Sequence, residues 1–151
     1  MKKHVILILS AGLFIGADAP KDAANDSEVK KLQGAWVLES GQNDGKPISD
    51  EDTKKSKIVW RGLDSEIDSP IQSKETMKAK CTLDPAKSPK EMDWVRSVGP
   101  GAGKVHHAVY EFLADGRLRV CFAPAGMDRP KNFKAEAGSG HILHVWKKAK
   151  E

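Results

Sequence analysis

Four of the five histidines fall in two close pairs, His106 with His107 and His141 with His144. Imidazole is the side chain best placed to bind a metal or move a proton near neutral pH. On a strand, residues one or three positions apart point to opposite faces. Each pair therefore diverges, and a metal site would need one histidine from each pair together with a carboxylate such as Glu111. The spacing supplies no such set. Solvated or singly hydrogen-bonded histidines are expected, with no metal and no cofactor. Cys81 and Cys121 have no Cys or His beside them at ligand spacing, so they make no zinc site either.

Other chemical patterns fail on their own terms. Gly103-Lys104 invites comparison with G-x-x-x-x-G-K-[ST], but Val98 stands where the first glycine belongs and Val105 where the hydroxyl belongs. A turn between strands is expected there. Ser139 lies in Gly138-Ser139-Gly140, which is not a G-x-S-x-G elbow. Asp50, Glu51 and Asp52 are neighbours on a polar stretch that reads as a solvated face. No catalytic constellation emerges, and the chain is expected not to be an enzyme.

The aromatic and cationic residues on strands carry more. Trp60, Trp94 and Tyr110, with Arg96 on the face of Trp94, would line the inside of a barrel. Barrel mouths commonly hold small, mostly apolar ligands oriented by a few polar groups, whereas many small barrels simply fill their interior with side chains. Both readings stand at this level.

The elements that would position these residues are mostly strands. Residues 27–33 suit a short helix capped by Asp26 or Ser27, with Val29 and Leu32 on one face, and residues 49–55 suit a second short helix with an acidic start and a basic end. Strands are expected over 36–40, 57–61, 75–83, 91–98, 105–113, 117–122 and 142–147. In 75–83, Met77, Ala79, Cys81 and Leu83 share one face. Asn43-Asp44-Gly45 reads as a turn, Asp115-Gly116 as a type I′ hairpin turn, and 124–140 as a long loop. Residues 61–73 resist assignment, since Pro70 interrupts any long element. About eight strands at this spacing predict an all-β, mainly antiparallel up-and-down barrel with one or two short helices.

The compartment is read from the first residues. Lys2 and Lys3, an apolar run from Val5 to Ile15, and Ala17-Asp18-Ala19 form the pattern of a signal peptide over residues 1–19. The run is shorter than the roughly 20 residues of a membrane span, so no span is expected after its removal; an uncleaved N-terminal anchor is the alternative. Residues 20–26 read as a linker and 27–151 as the domain. The expected location is exported, periplasmic or extracellular. Two cysteines in an exported chain permit a Cys81–Cys121 disulfide, and two separate thiols are the alternative. The formal charge of +4 falls to +3 when Lys2, Lys3 and Asp18 are removed. That excess is dispersed, so no nucleic-acid or anionic-membrane footprint is present.

Several segments together carry a family pattern: Leu32-Gln33-Gly34-Ala35-Trp36, Asp44-Gly45-Lys46-Pro47, Thr82-Leu83-Asp84-Pro85-Ala86-Lys87-Ser88-Pro89-Lys90 with Asp93, Tyr110-Glu111, Leu118 to Ala123, Gly126 to Phe133, and Gly138-Ser139-Gly140. In this order and spacing they resemble a lipocalin-like family of unassigned function known from planctomycete bacteria. The likeness covers nearly all of residues 28–150. It implies a lipocalin-like barrel in which Gly34 and Trp36 close one end, Trp36 lying under a basic residue of the last strand, Lys147 or Lys148. Cys81 replaces an expected aromatic residue, and 61–73 lacks the expected glycine-containing turn between two clear strands.

The expected function is that of a non-catalytic exported domain, binding a small, partly apolar molecule inside the barrel between Trp60, Trp94, Arg96 and Tyr110. The alternative is a structural or interaction module of the cell envelope, with an envelope protein as partner and the loop 124–140 as its working surface.

Overall fold

The computed structural model describes residues 19–150. Two short helices and nine strands follow one another: α1 (Ala19–Leu32), β1 (Gly34–Asn43), β2 (Lys46–Pro47), α2 (Asp50–Lys55), β3 (Lys57–Arg61), β4 (Asp64–Asp68), β5 (Met77–Asp84), β6 (Lys90–Val98), β7 (Val105–Phe112), β8 (Leu118–Phe122) and β9 (Ile142–Lys148). Every pairing is antiparallel, and β1 also pairs with β9, so eight of the strands close into an up-and-down barrel with β2 as a short appendage to β1. This is the all-β up-and-down barrel expected from the strand spacing, and it is consistent with the lipocalin-like architecture that the resemblance implies. Closure leaves the eight staves without a free edge.

Alternation sorts side chains between the two faces of the wall. Along β5, Met77, Ala79, Cys81 and Leu83 are buried while Lys78, Lys80 and Thr82 are exposed, as the sequence predicts. The inward set forms one continuous cluster that includes Trp36, Leu38, Ile58, Trp60, Met92, Trp94, Tyr110, Leu118, Val120, Phe122 and Trp146. Outside, ion pairs run across the strands from Lys57 to Asp68, from Arg61 to Glu66 and from Lys78 to Glu66. An apolar interior with a charged exterior is the reverse of a barrel built to sit in lipid. No helix among the described residues is long and apolar enough to cross a membrane.

The leader expected over residues 1–19 falls outside the described residues apart from Ala19. Residues 20–26, expected as a linker, are helical: α1 begins at Ala19, with Pro20 in the first turn where its missing N–H costs nothing. The helix ends before Gly34, as expected, seats Leu32 in the core cluster and packs the partly buried Val29 against it. The second helix matches its expectation closely, with the Ser49 hydroxyl capping the Asp52 N–H at 3.1 Å.

Two local expectations are corrected. Residues 61–73 contain a strand, β4, joined to β3 by a tight turn through Gly62. Its Ser65 and Ile67 point inward while Asp64, Glu66 and Asp68 point outward to basic partners, so acidic residues of low β propensity hide the strand in the sequence. The type I′ geometry belongs to Asp44-Gly45, where φ is +48° and +81°. At Asp115-Gly116 only Gly116 has positive φ (+85°), and the Leu113 N–H to Arg117 carbonyl and Gly116 N–H to Leu113 carbonyl bonds define a longer loop with a glycine bulge.

The strand directions give the barrel two ends. The base carries α1, the turns 61–64, 84–90 and 112–118, and the end of β9. The mouth carries 43–57, 68–77, 98–105 and the long segment 122–142.

Candidate functional site

At the base, Trp36 is fully buried and donates its indole N–H to the Leu32 carbonyl at 2.6 Å. Lys148 places its ammonium 4.2 Å from the Trp36 ring centroid and donates to the Gln33 carbonyl. Of the two lysines considered, Lys148 has the inward parity of Trp146, while Lys147 turns out to Glu39 at 3.6 Å. Beside them Glu28 is buried, with Lys31 at 2.8 Å and Lys90 at 3.0 Å. Burial raises the Glu28 carboxyl, but its bonds to the two lysines outweigh this and hold it below the ordinary value.

The four residues expected to form an interior site are dispersed along the barrel. Trp60 and Trp94 touch, with ring centroids 5.8 Å apart, and the stack continues through Phe122, His144 and Trp146. Tyr110 lies toward the base, edge-on to Phe112 and beneath the Lys90 ammonium. Burial, with Glu28 nearby, pushes its hydroxyl well above the ordinary range. Arg96 lies at the mouth, where its guanidinium ties the loop 69–76 to the loop 99–104 through the Gln72 side chain and, at 2.7 Å, the Pro100 carbonyl. The indole N–H groups of Trp60 and Trp94 and both ring nitrogens of His144 are buried without a hydrogen-bond partner. His144 is fully buried, and that burial lowers it to about 3.

Of the two readings left open for the cysteines, the structure has the two separate thiols: both are free and buried. Cys81 belongs to the interior cluster. On β8 the inward residues are Leu118, Val120 and Phe122, so Cys121 faces out and donates to the Lys134 carbonyl at 3.4 Å. The two thiols stand on opposite sides of the wall. The histidine pairs diverge as their spacing predicts, His106 and His144 inward, His107 and His141 outward. Among the described residues no three His, Cys, Asp or Glu side chains converge as metal ligands. Gly99 to Lys104 forms successive tight turns leading into β7, and the Ser139 hydroxyl donates to the Glu136 carbonyl at 2.6 Å within a turn.

A polar constellation lies on the outer wall, under the segment 123–141. This arm leaves β8 at Ala123, whose N–H donates to the His107 carbonyl, turns at Pro124–Met127, and crosses β7 and β6. Arg129 then reaches down to the wall. Its Nη1 donates to the Met92 carbonyl at 2.9 Å and to the Ala108 carbonyl at 2.7 Å, and its Nη2 donates to Asp93 Oδ1 at 2.7 Å. Asp93 and His107 are cross-strand partners, and His107 Nδ1 stands 2.8 Å from the same oxygen. Partial burial raises the Asp93 carboxyl; its bonds to His107 and Arg129 reverse this and lower it overall. Further along, the Arg119 guanidinium lies 4.6 Å from the Phe133 ring, and Pro130, Ala135, Val109 and Cys121 are buried beneath or within the arm.

Two adjoining clefts lie along the first part of the pinned arm. One, of about 570 Å³, is lined by residues between Gly126 and His141, including Asp128, Asn132, Glu136 and Ser139. The other, of about 340 Å³, is lined by His107 and Gly126 to Arg129. Past His107 the same wall exposes the cross-strand pair Val95 and Val105. Together with Met127 and Val98, these are the exposed large apolar residues among those described. No family model, no curated protein and no solved structure matches this chain.

The sequence marks Asp93, His107 and Arg129 individually but not their meeting. Strand alternation sends Asp93 and His107 outward, and the β6–β7 register makes them partners; the return of Arg129 across the wall is a tertiary event with no local signal.

Proposed function

We propose that the chain is an exported, non-catalytic domain of the planctomycete lipocalin-like type that works as an interaction module of the cell envelope, with the arm 123–141 as its recognition surface. The observation that carries this reading is the contrast between the two sides of the wall. The interior is occupied by one continuous cluster of its own side chains, whereas the outer wall holds a fixed arm, two clefts and exposed Val95, Val105 and Met127. An ordered loop with apolar residues beside charged ones is the usual make-up of a protein-binding patch. Lys2, Lys3, the apolar run and Ala17-Asp18-Ala19 support export.

The test is photo-crosslinking in the producing cell from an unnatural residue at position 127, compared with position 57 on the far wall. A discrete crosslinked protein from 127 and none from 57 is expected. Identical patterns at both positions overturn the assignment of the surface.

A second reading, a carrier of a small and partly apolar molecule, draws on the unpartnered Trp60 and Trp94 indoles and His144 ring. Buried donors without partners cost about 1–3 kcal/mol each, and a ligand with acceptor atoms would relieve them. It requires the core to open, with Arg96 releasing Gln72 and Pro100 at the mouth.

A further inference from the structure

Building on the reading of the outer wall as a recognition surface, we infer that one partner of that wall is a second copy of this chain, docked over Val95 and Val105. The exposed large apolar residues among those described are Val95, Val98, Val105 and Met127, each 37% to 50% exposed. They gather on one side of the barrel. Val95 and Val105 are cross-strand partners. Val98 stands mouthward on the same face, across a bulge from the outward-facing Lys78. Met127 stands baseward, in the cleft over His107, which has the outward parity of Val105 on β7. Scattered exposed valines need no explanation, whereas a contiguous apolar patch marks a contact surface.

The chain does not cover this patch itself. The arm crosses β7 and β6 on the baseward side, where Arg129 is fixed to the Met92 and Ala108 carbonyls, and the valines stay bare. A closed barrel has no free edge to which a partner could add a strand. Whatever covers the valines must therefore lie face down on the wall.

Charge selects a copy of the same chain. The mouthward margin of the patch is basic, with Lys78 and Lys104. The baseward margin is acidic, with Glu91, Asp93 and Asp128 outnumbering Arg129. Lys104 and Asp128 are both exposed, and neither makes an ion pair among the described residues. A patch with an apolar centre and opposite charges at its two margins is complementary to itself, as a two-fold interface requires. With the axis along the Val95–Val105 row, these two side chains meet their own counterparts, and Lys104 of each copy faces Asp128 of the other. A stable dimer buries about 800 Å² from each copy, more than four side chains supply. The loop 99–104 and the Pro124–Asp128 turn therefore form the rim.

The experiment is sedimentation velocity on the full chain from micromolar to millimolar concentration. A reversible dimer is expected. Val105→Asp removes it across this range. Lys104→Glu and Asp128→Lys each weaken it about tenfold, by setting like charges opposite one another twice in the dimer. The double variant restores it, because the exchanged charges pair again across the axis. Lys54→Glu, on α2 across the barrel, leaves it unchanged. Circular dichroism separates loss of contact from loss of fold, and the charge exchange keeps the test open if Val105→Asp unfolds. A monomer at every concentration, a dimer indifferent to Val105→Asp, or a double variant no tighter than the single ones overturns the inference. If the chain is monomeric and position 127 still crosslinks a different protein in the cell, the recognition surface stands and the second copy falls. Identical crosslinks from 127 and 57, with no dimer, remove both.

Discussion

Arg129 and Asp93, 36 residues apart in the chain, meet at 2.7 Å on the outside of the barrel. That contact, with two strand carbonyls on the same guanidinium, turns a glycine- and proline-rich segment into a fixed arm. Arg129→Met should therefore free the arm selectively: limited proteolysis within 124–140 accelerates strongly while the barrel core stays protected. The global cost, from lost charge-assisted bonds at a partly exposed site, is about 2 kcal/mol by urea denaturation. Equal proteolytic rates in the variant and the parent would contradict this.

Lys148 and Trp36 make the corresponding contact at the base. Lys148→Met removes both the cation over the indole and a donor to the last carbonyls of α1, and should cost about 1–2 kcal/mol. Lys148→Arg should restore part of it. Lys147→Met, on the outward parity, should cost less than either; a larger loss there would reverse the assignment.

His144 makes stability depend on pH in a defined direction. Its folded value of about 3 lies below the ordinary 6.5, so between these the unfolded chain binds more protons than the folded one. Its contribution is complete above about pH 6.5 and falls as the pH drops toward 3, at up to about 1.4 kcal/mol per unit. His144→Leu should flatten the stability profile from pH 6.5 down to 4.5, and it also removes two unpartnered ring nitrogens. Below that, Glu28 and Asp93, both held under their ordinary values, lose their contribution as they protonate. An unchanged slope in the variant between pH 6.5 and 4.5 would show that His144 is not the titrating group.

Gly41 is required by crowding. A Cβ there would lie 2.6 Å from Ile48 Cδ1 and 2.7 Å from the Leu143 carbonyl, and 3.1 Å from the His144 ring. Gly41→Ala is expected to destabilise by about 1–3 kcal/mol, read as a lower denaturation midpoint. An unchanged midpoint would mean the 41–48 segment is looser than its contacts imply.

Much of the barrel is legible from alternation alone. The inward set of β5, the divergence of His106 from His107 and the break before β1 at Gly34 follow from local pattern. Strand β4 escapes because its outward positions are all acidic, and their compensating partners, Lys57, Arg61 and Lys78, lie on other strands. The Asp-Gly pairs at 44–45 and 115–116 look alike in sequence and differ in structure, since loop length decides which turn forms. The separation of Cys81 from Cys121 requires knowing that Val120 and Phe122 face inward. The path of the arm depends on Arg129 finding carbonyls that only the closed β6–β7 pair presents.

The central claim is that the barrel is filled and acts from its outer wall. The most direct measurement is mass spectrometry of the full chain purified from the cells that produce it, first native and then denatured. The account predicts no organic adduct in the native spectrum and a denatured mass without the deficit of a disulfide. A stoichiometric organic adduct that leaves on denaturation would contradict it and place the ligand inside, beside Trp60, Trp94 and His144.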